Sequence, residues 1–194
     1  MRGTRYERKM SGMSIIFCGV AIWNVIFLVV SIATAYMGRA ADPGAWWHFT
    51  AGVFTGIFTM FTHCLVIIHM AGSSKGIKEA IGAYGLNDDP ETGFQRRVRR
   101  NRAKISPYAY FGCLLIMAVV FLGGWHHAKL IHHESLNFGL SLEWHRWVAW
   151  FAVVFNLYGF WKEYQAVQDN TRTIQELNAL LEERGLVEGV KQQA

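Results

Sequence analysis

Four apolar segments, Met13–Met37, Ala45–Met70, Pro107–Trp125 and Trp144–Trp161, each run long enough to cross a lipid bilayer. A hydrocarbon core of about 30 Å needs about 20 helical residues, and in lipid every backbone N–H and C=O must find its partner inside a helix or a closed barrel. None of the four alternates apolar with polar residues as a barrel strand does, so all four read as helices. The expected fold is an all-α integral membrane protein: a four-transmembrane-helix antiparallel bundle with both termini cytoplasmic and a helical cytoplasmic C-terminal extension. Residues 1–165 would hold the transmembrane domain, with a basic cytoplasmic elbow at 71–106 and an outer loop at 126–143, and residues 166–194 an amphipathic helical tail.

Orientation follows from the basic residues. Arg2, Arg5, Arg8 and Lys9 precede the first segment, and Lys75, Lys78, Arg96, Arg97, Arg99, Arg100, Arg102 and Lys104 lie between the second and third. The opposite connections carry only Arg39 and Lys129, with Arg146 opening the last segment. The positive-inside rule therefore puts both basic stretches in the cytoplasm and the protein in the cell (inner) membrane. The first segment outruns the apolar region of a secretory signal, about 7 to 15 residues, and reads as a retained anchor.

The same basic run explains the net charge of +5 without nucleic acid, because arginines beside a span fix orientation and attract anionic lipid headgroups. Cys18, Cys64 and Cys113 form no CxxC pair and are expected as free, buried thiols. Between the second and third segments, two short helical pieces are expected around the turn at Asn87-Asp88-Asp89-Pro90, with Pro107 opening the third helix. Gly52 and Gly56 make a GxxxG pair, which favours close packing on another helix or another subunit. In the tail, Val167, Ile174 and Leu181 recur every seven residues with Leu177 between them and Asn170 in one expected apolar position. That stripe suits packing on the elbow or on a second copy.

Histidines supply the functional clue. His48, His126, His127, His132, His133 and His145 all fall near one edge of the expected bundle. A metal such as copper or zinc needs three or four donors, for which His48, His126, His127 and His145 offer imidazoles and Glu143 or Glu134 a carboxylate. Haem b needs only two axial imidazoles on facing helices and an apolar slot, and His48 with His145 or His126 meets that minimum. Against both stands the plain alternative that interfacial histidines meet water and headgroups at no penalty; His132 and His133, in a connection resting on the membrane surface, fit it.

His63 sits deeper, at nearly the depth expected of Glu163 on the last helix, where the two suit a proton relay, a buried polar latch or support for a cofactor. His48 and His63 stand fifteen residues apart, a spacing that resembles the two-haem arrangement of b-type cytochromes in architecture alone. No histidine lies on the inner halves of the third or fourth helices to complete a second axial pair, so His63 would need His69, a methionine or a second protomer. Asn24 and Asn156, both near mid-membrane, each require a hydrogen-bond partner.

The functional expectation is a small membrane redox or metal-binding protein, with His48, His126, His145 and His63 as candidate cofactor ligands. Electron transfer with a quinone would fit. The competing expectation is a non-enzymatic membrane subunit or scaffold that binds partners through the GxxxG helix and the tail. Homo-oligomers, or a place in a larger membrane complex, suit both.

Overall fold

The computed structural model describes residues 12–37, 44–86, 93–132 and 141–186. Among them are four helices and no strand: α1 (Gly12–Met37), α2 (Gly44–Ala83), α3 (Phe94–His132) and α4 (Leu142–Glu183). Helices α1, α2 and α3 are long and apolar enough to cross a membrane. Helix α4 falls short of the other three in apolar content because it carries His145, Arg146, Asn156 and Glu163. Its outward face is nevertheless apolar and aromatic, exposing Trp147, Phe151, Val154, Tyr158 and Trp161.

The packing directions follow from which residues meet. Thr55 and Thr62 of α2 bond Phe27 and Asn24 of α1, rising numbers against falling ones, so this pair is antiparallel. Helices α3 and α4 pair in the same sense, His126 lying beside His145 and Phe111 beside Phe155. His63 with Glu163 and His69 with Asn170 rise together, so α2 and α4 run parallel across the bundle.

Burial is inverted relative to a water-soluble bundle. Helix α1 buries Ser14, Phe17, Asn24 and Leu28 and turns Ile15, Ile22, Trp23 and Val29 outward. Lipid is as apolar as leucine, so association here depends on close backbone approach and interhelical hydrogen bonds. The α1–α2 seam shows both. Asn24 Nδ2 donates to Thr62 Oγ1 at 3.0 Å, and Thr59 Oγ1 donates to Asn24 Oδ1 at 3.1 Å. The GxxxG pair serves two different contacts: a Cβ on Gly56 would lie 2.7 Å from Val120 on α3, whereas one on Gly52 would face Ser31 on α1 at 3.8 Å. Both are contacts within the chain.

The elbow differs from expectation. Its two helical pieces are the ends of α2 and α3 themselves, which run unbroken for 40 and 39 residues. Pro107 consequently lies inside α3, thirteen residues past its start, rather than opening the helix. Residues 94–106 are rich in helix-favouring Arg, Lys and Ala, so nothing stops the helix before the proline. The proline occupies an exposed position, where loss of one backbone bond is least costly, and Ser106 Oγ bonds the Arg102 carbonyl beside it.

The three long helices also share an apolar cluster at their far end. Ile77 of α2, Val98 of α3 and Leu177 and Leu181 of α4 are buried together, flanked by Ile81, Tyr84, Phe94 and Ile174. Arg97 and Glu176 make an ion pair beside it. The apolar stripe of the tail therefore packs on the elbow. Cys18, Cys64 and Cys113 are free as expected, but none is fully buried: Cys18 and Cys113 are half-buried and Cys64 faces outward. Replacing Leu177 by alanine is expected to cost about 2 to 5 kcal/mol, read as earlier thermal unfolding in detergent together with faster tryptic cleavage in the 71–106 region.

Candidate functional site

Two polar centres occupy different levels of the bundle. The first is a cleft of about 300 Å³ at the end where α2 and α4 begin and α3 finishes. His48 of α2, His126 and His127 of α3 and His145 of α4 line it. The His48 and His145 ring centroids are 6.4 Å apart, and those of His126 and His145 6.2 Å. Three helices thus bring three imidazoles together.

Nitrogen accounting defines what those rings can do. His48 Nδ1 lies 3.1 Å from the Ser31 carbonyl, which can only accept, so Nδ1 carries the hydrogen and Nε2 keeps its lone pair. Nε2 of His126 and Nδ1 of His145 are buried without a hydrogen-bond partner. His127 Nε2 is likewise buried without a partner, but its ring is stacked on Phe49 at 4.6 Å and meets Trp46 edge-on at 4.8 Å. Small residues open the space: Gly52, Gly123 and Gly124 all line the cleft, and a Cβ on Gly123 would press His145 at 3.0 Å.

The proposed carboxylate is not part of this arrangement. Glu143 is exposed and bonds Arg146 at 3.0 Å, one turn along α4. Among the described residues, no group of three or more His, Cys, Asp or Glu side chains is set to hold a metal ion. Helix α3 runs on through residues 126–132 of the expected outer loop, while His133 and Glu134, with the rest of residues 133–140, lie outside the described residues.

The second centre is fully buried where α2, α3 and α4 meet. His63 Nδ1 lies 2.6 Å from Glu163 Oε1, and its Nε2 lies 2.7 Å from Asn156 Oδ1. All three residues have zero exposure. Asn156 Nδ2 donates to the Ala152 carbonyl at 2.7 Å, which fixes the amide with its oxygen toward the imidazole. Two glycines make room, Gly112 on α3 and Gly159 on α4. With both nitrogens engaged, His63 has none left for an iron, so it does not join a cofactor site in this arrangement. One level further on, Asn170 Nδ2 donates to His69 Nε2 at 3.3 Å, which accounts for the asparagine in the apolar stripe.

Reading the sequence missed Ser31, Gly112, Gly123 and Gly159, because glycines and a backbone carbonyl carry no pattern of their own. The bond between Asn156 and His63 had a visible signal: Asn156, Glu163 and Asn170 recur every seven residues along α4. Comparison with protein-family models, curated proteins and solved structures gives no match, so function is argued from these two centres alone.

Alanine at Gly112 would set a Cβ 2.5 Å from His63 Nε2 and 2.9 Å from Asn156 Oδ1, whereas alanine at Gly159 would meet His63 at an ordinary 3.7 Å. Overpacking of the first kind costs about 1 to 3 kcal/mol. Gly112→Ala is therefore expected to lower the melting temperature in detergent, and Gly159→Ala to leave it nearly unchanged.

Proposed function

We propose that the chain is a four-span haem b protein of the cell membrane, with its termini in the cytoplasm and its histidine cleft near the outer face. The observation that carries this reading is the 6.4 Å separation of the His48 and His145 rings on facing helices. A metal–imidazole bond of about 2.0 Å puts two rings that share one metal about 6 Å apart, centroid to centroid. The Ser31 carbonyl fixes the tautomer of His48 that leaves Nε2 free to ligate, a second-sphere contact common to metal-bound histidines. His126, at a similar distance from His145, is the neighbouring imidazole that would compete for the same iron.

Haem is favoured over copper or zinc because, among the described residues, no group of three or more His, Cys, Asp or Glu side chains is set to hold a bare ion, whereas haem needs only two imidazoles. Gly52, Gly123 and Gly124 supply a slot without side chains, and Phe49 and Trp150 supply apolar walls. Bound there, haem supplies one-electron transfer. His48 and His145 would hold the iron, and Thr34, Tyr36 and Arg146, which also line the cleft, are polar groups suited to a quinone headgroup. The four-span topology is supported by the exposed aromatic face of α4 and by the exposed basic residues Arg96, Arg99, Arg100, Arg102 and Lys104 on α3.

The test is the visible spectrum of the purified protein, oxidised and dithionite-reduced. A Soret band that sharpens and shifts on reduction is expected, lost in His145→Ala and in His48→Ala. Retention of the band in both variants rejects these ligands. A colourless wild type without metal overturns the reading in favour of a scaffold that binds partners through its helical end.

A further inference from the structure

We propose that His63, Glu163 and Asn156 form an intramembrane proton-binding site whose occupancy is locked to the orientation of the Asn156 amide. The argument is a count of hydrogens against acceptors and is independent of what occupies the histidine cleft.

Each nitrogen of the His63 ring faces an oxygen at hydrogen-bond distance, Glu163 Oε1 on one side and Asn156 Oδ1 on the other. The amide cannot be reversed without cost, because its nitrogen donates to the Ala152 carbonyl and an oxygen there would meet another oxygen at 2.7 Å. Nε2 must therefore carry a hydrogen. A second hydrogen must lie on the Nδ1···Oε1 line, either on the ring, as imidazolium beside carboxylate, or on the acid, as neutral imidazole beside a carboxyl group. Both forms hold one proton more than a neutral histidine with an ionised glutamate, and both are neutral overall. Moving the proton along that line changes no net charge.

Removing this proton leaves one hydrogen for two acceptors. Either Nδ1 faces Oε1 bare at 2.6 Å, or Nε2 faces Oδ1 bare at 2.7 Å, lone pair against lone pair. The deprotonated site, with net charge −1, is relieved if Asn156 turns its amide, which breaks the bond to Ala152. Leaving a buried polar group unbonded is costly, so proton release and the Asn156 reorientation occur together. Glu163 Oε2 is buried and makes no hydrogen bond within the protein, so the carboxylate has no donor there to offset loss of the proton.

The surroundings offer no competing charge. Helix α1 contains no acidic, basic or histidine residue. From α3 the nearby titratable group is the Cys113 thiol, and Gly112 contributes no side chain. On α2 and α4 the next polar pair is His69 with Asn170, separated from Glu163 by the apolar cluster containing Phe17, Val66, Met70 and Val167. Asn170 Oδ1 is likewise buried without a partner.

The experiment is ¹⁵N NMR of the histidine rings in the full-length protein, read beside infrared spectra of the carboxyl region in H₂O and D₂O. At neutral pH one of two signatures is expected. Either both His63 nitrogens are protonated, or Nε2 alone is protonated and a carboxylic-acid band is present that Glu163→Gln removes. Asn156→Leu deletes the acceptor at Nε2 and is expected to let the proton leave at a pH where wild type keeps it, whereas Asn156→Asp retains it. A wild-type His63 with one bare nitrogen beside an ionised Glu163 at neutral pH overturns the proposal, and so does equal proton retention in wild type and Asn156→Leu. If Asn156→Leu does not fold, the wild-type spectra alone decide.

Discussion

A polar side chain inside an apolar bundle must find its partner on another helix, and that requirement organises this structure. Helix α1 shows it most simply: its interior contacts include a ladder from Asn24 to Thr59 and Thr62, while Ile22, Trp23, Ile26 and Val29 face away from the protein. Interhelical bonds of this kind contribute about 0.6 to 2 kcal/mol each. They also tie the register of the pair, holding Asn24 opposite Thr59 and Thr62 and the Phe27 carbonyl opposite Thr55. The His63–Glu163–Asn156 centre does the same for α2 against α4, and the glycine at 112 lets α3 close over it.

The two histidine centres differ in how completely their hydrogen bonds are satisfied, and that difference separates their chemistry. At His63 both nitrogens are committed, the neighbours are tightly placed and the ring has no freedom to ligate. At the cleft, His126 and His145 each keep a buried nitrogen without a partner, and the glycines of α2 and α3 leave room beside them. Unsatisfied buried nitrogens are costly unless something else binds them. On the reading proposed above, the cleft is where a ligand would bind and the inner centre is where a proton would be held.

How much of this was readable in advance depended on whether a feature was periodic. Long apolar runs gave the helices, and the matching depth of His63 and Glu163 anticipated a pair that the structure forms. The convergence of His48, His126 and His145 was a matter of level, which helical rise conveys, but which nitrogen faces which partner depends on ring rotation and on the Ser31 carbonyl. Glu143 was drawn into the candidate set by proximity in sequence, yet Arg146 three residues on offers it a nearer partner on the exposed face. At the elbow, proline's preference for a helix start points to Pro107 as the beginning of the third helix, yet arginine and lysine are good helix formers and a helix needs only one covered stripe, which Ile77, Val98 and Leu177 provide.

Because α2, α3 and α4 continue without interruption past the apolar region, each is a rod of about 60 Å at 1.5 Å per residue. The His63 centre lies near the middle of these rods, with the cleft toward one end and the Ile77–Leu181 cluster toward the other. Such an arrangement has the mechanics of a lever on a fulcrum. A pivot of about 5° at the middle carries each end sideways by roughly 3 Å over an arm of about 30 Å. A rearrangement at the waist of the bundle, or a load applied at the Ile77–Leu181 end, is thus delivered to the opposite end as a displacement about the size of a hydrogen bond.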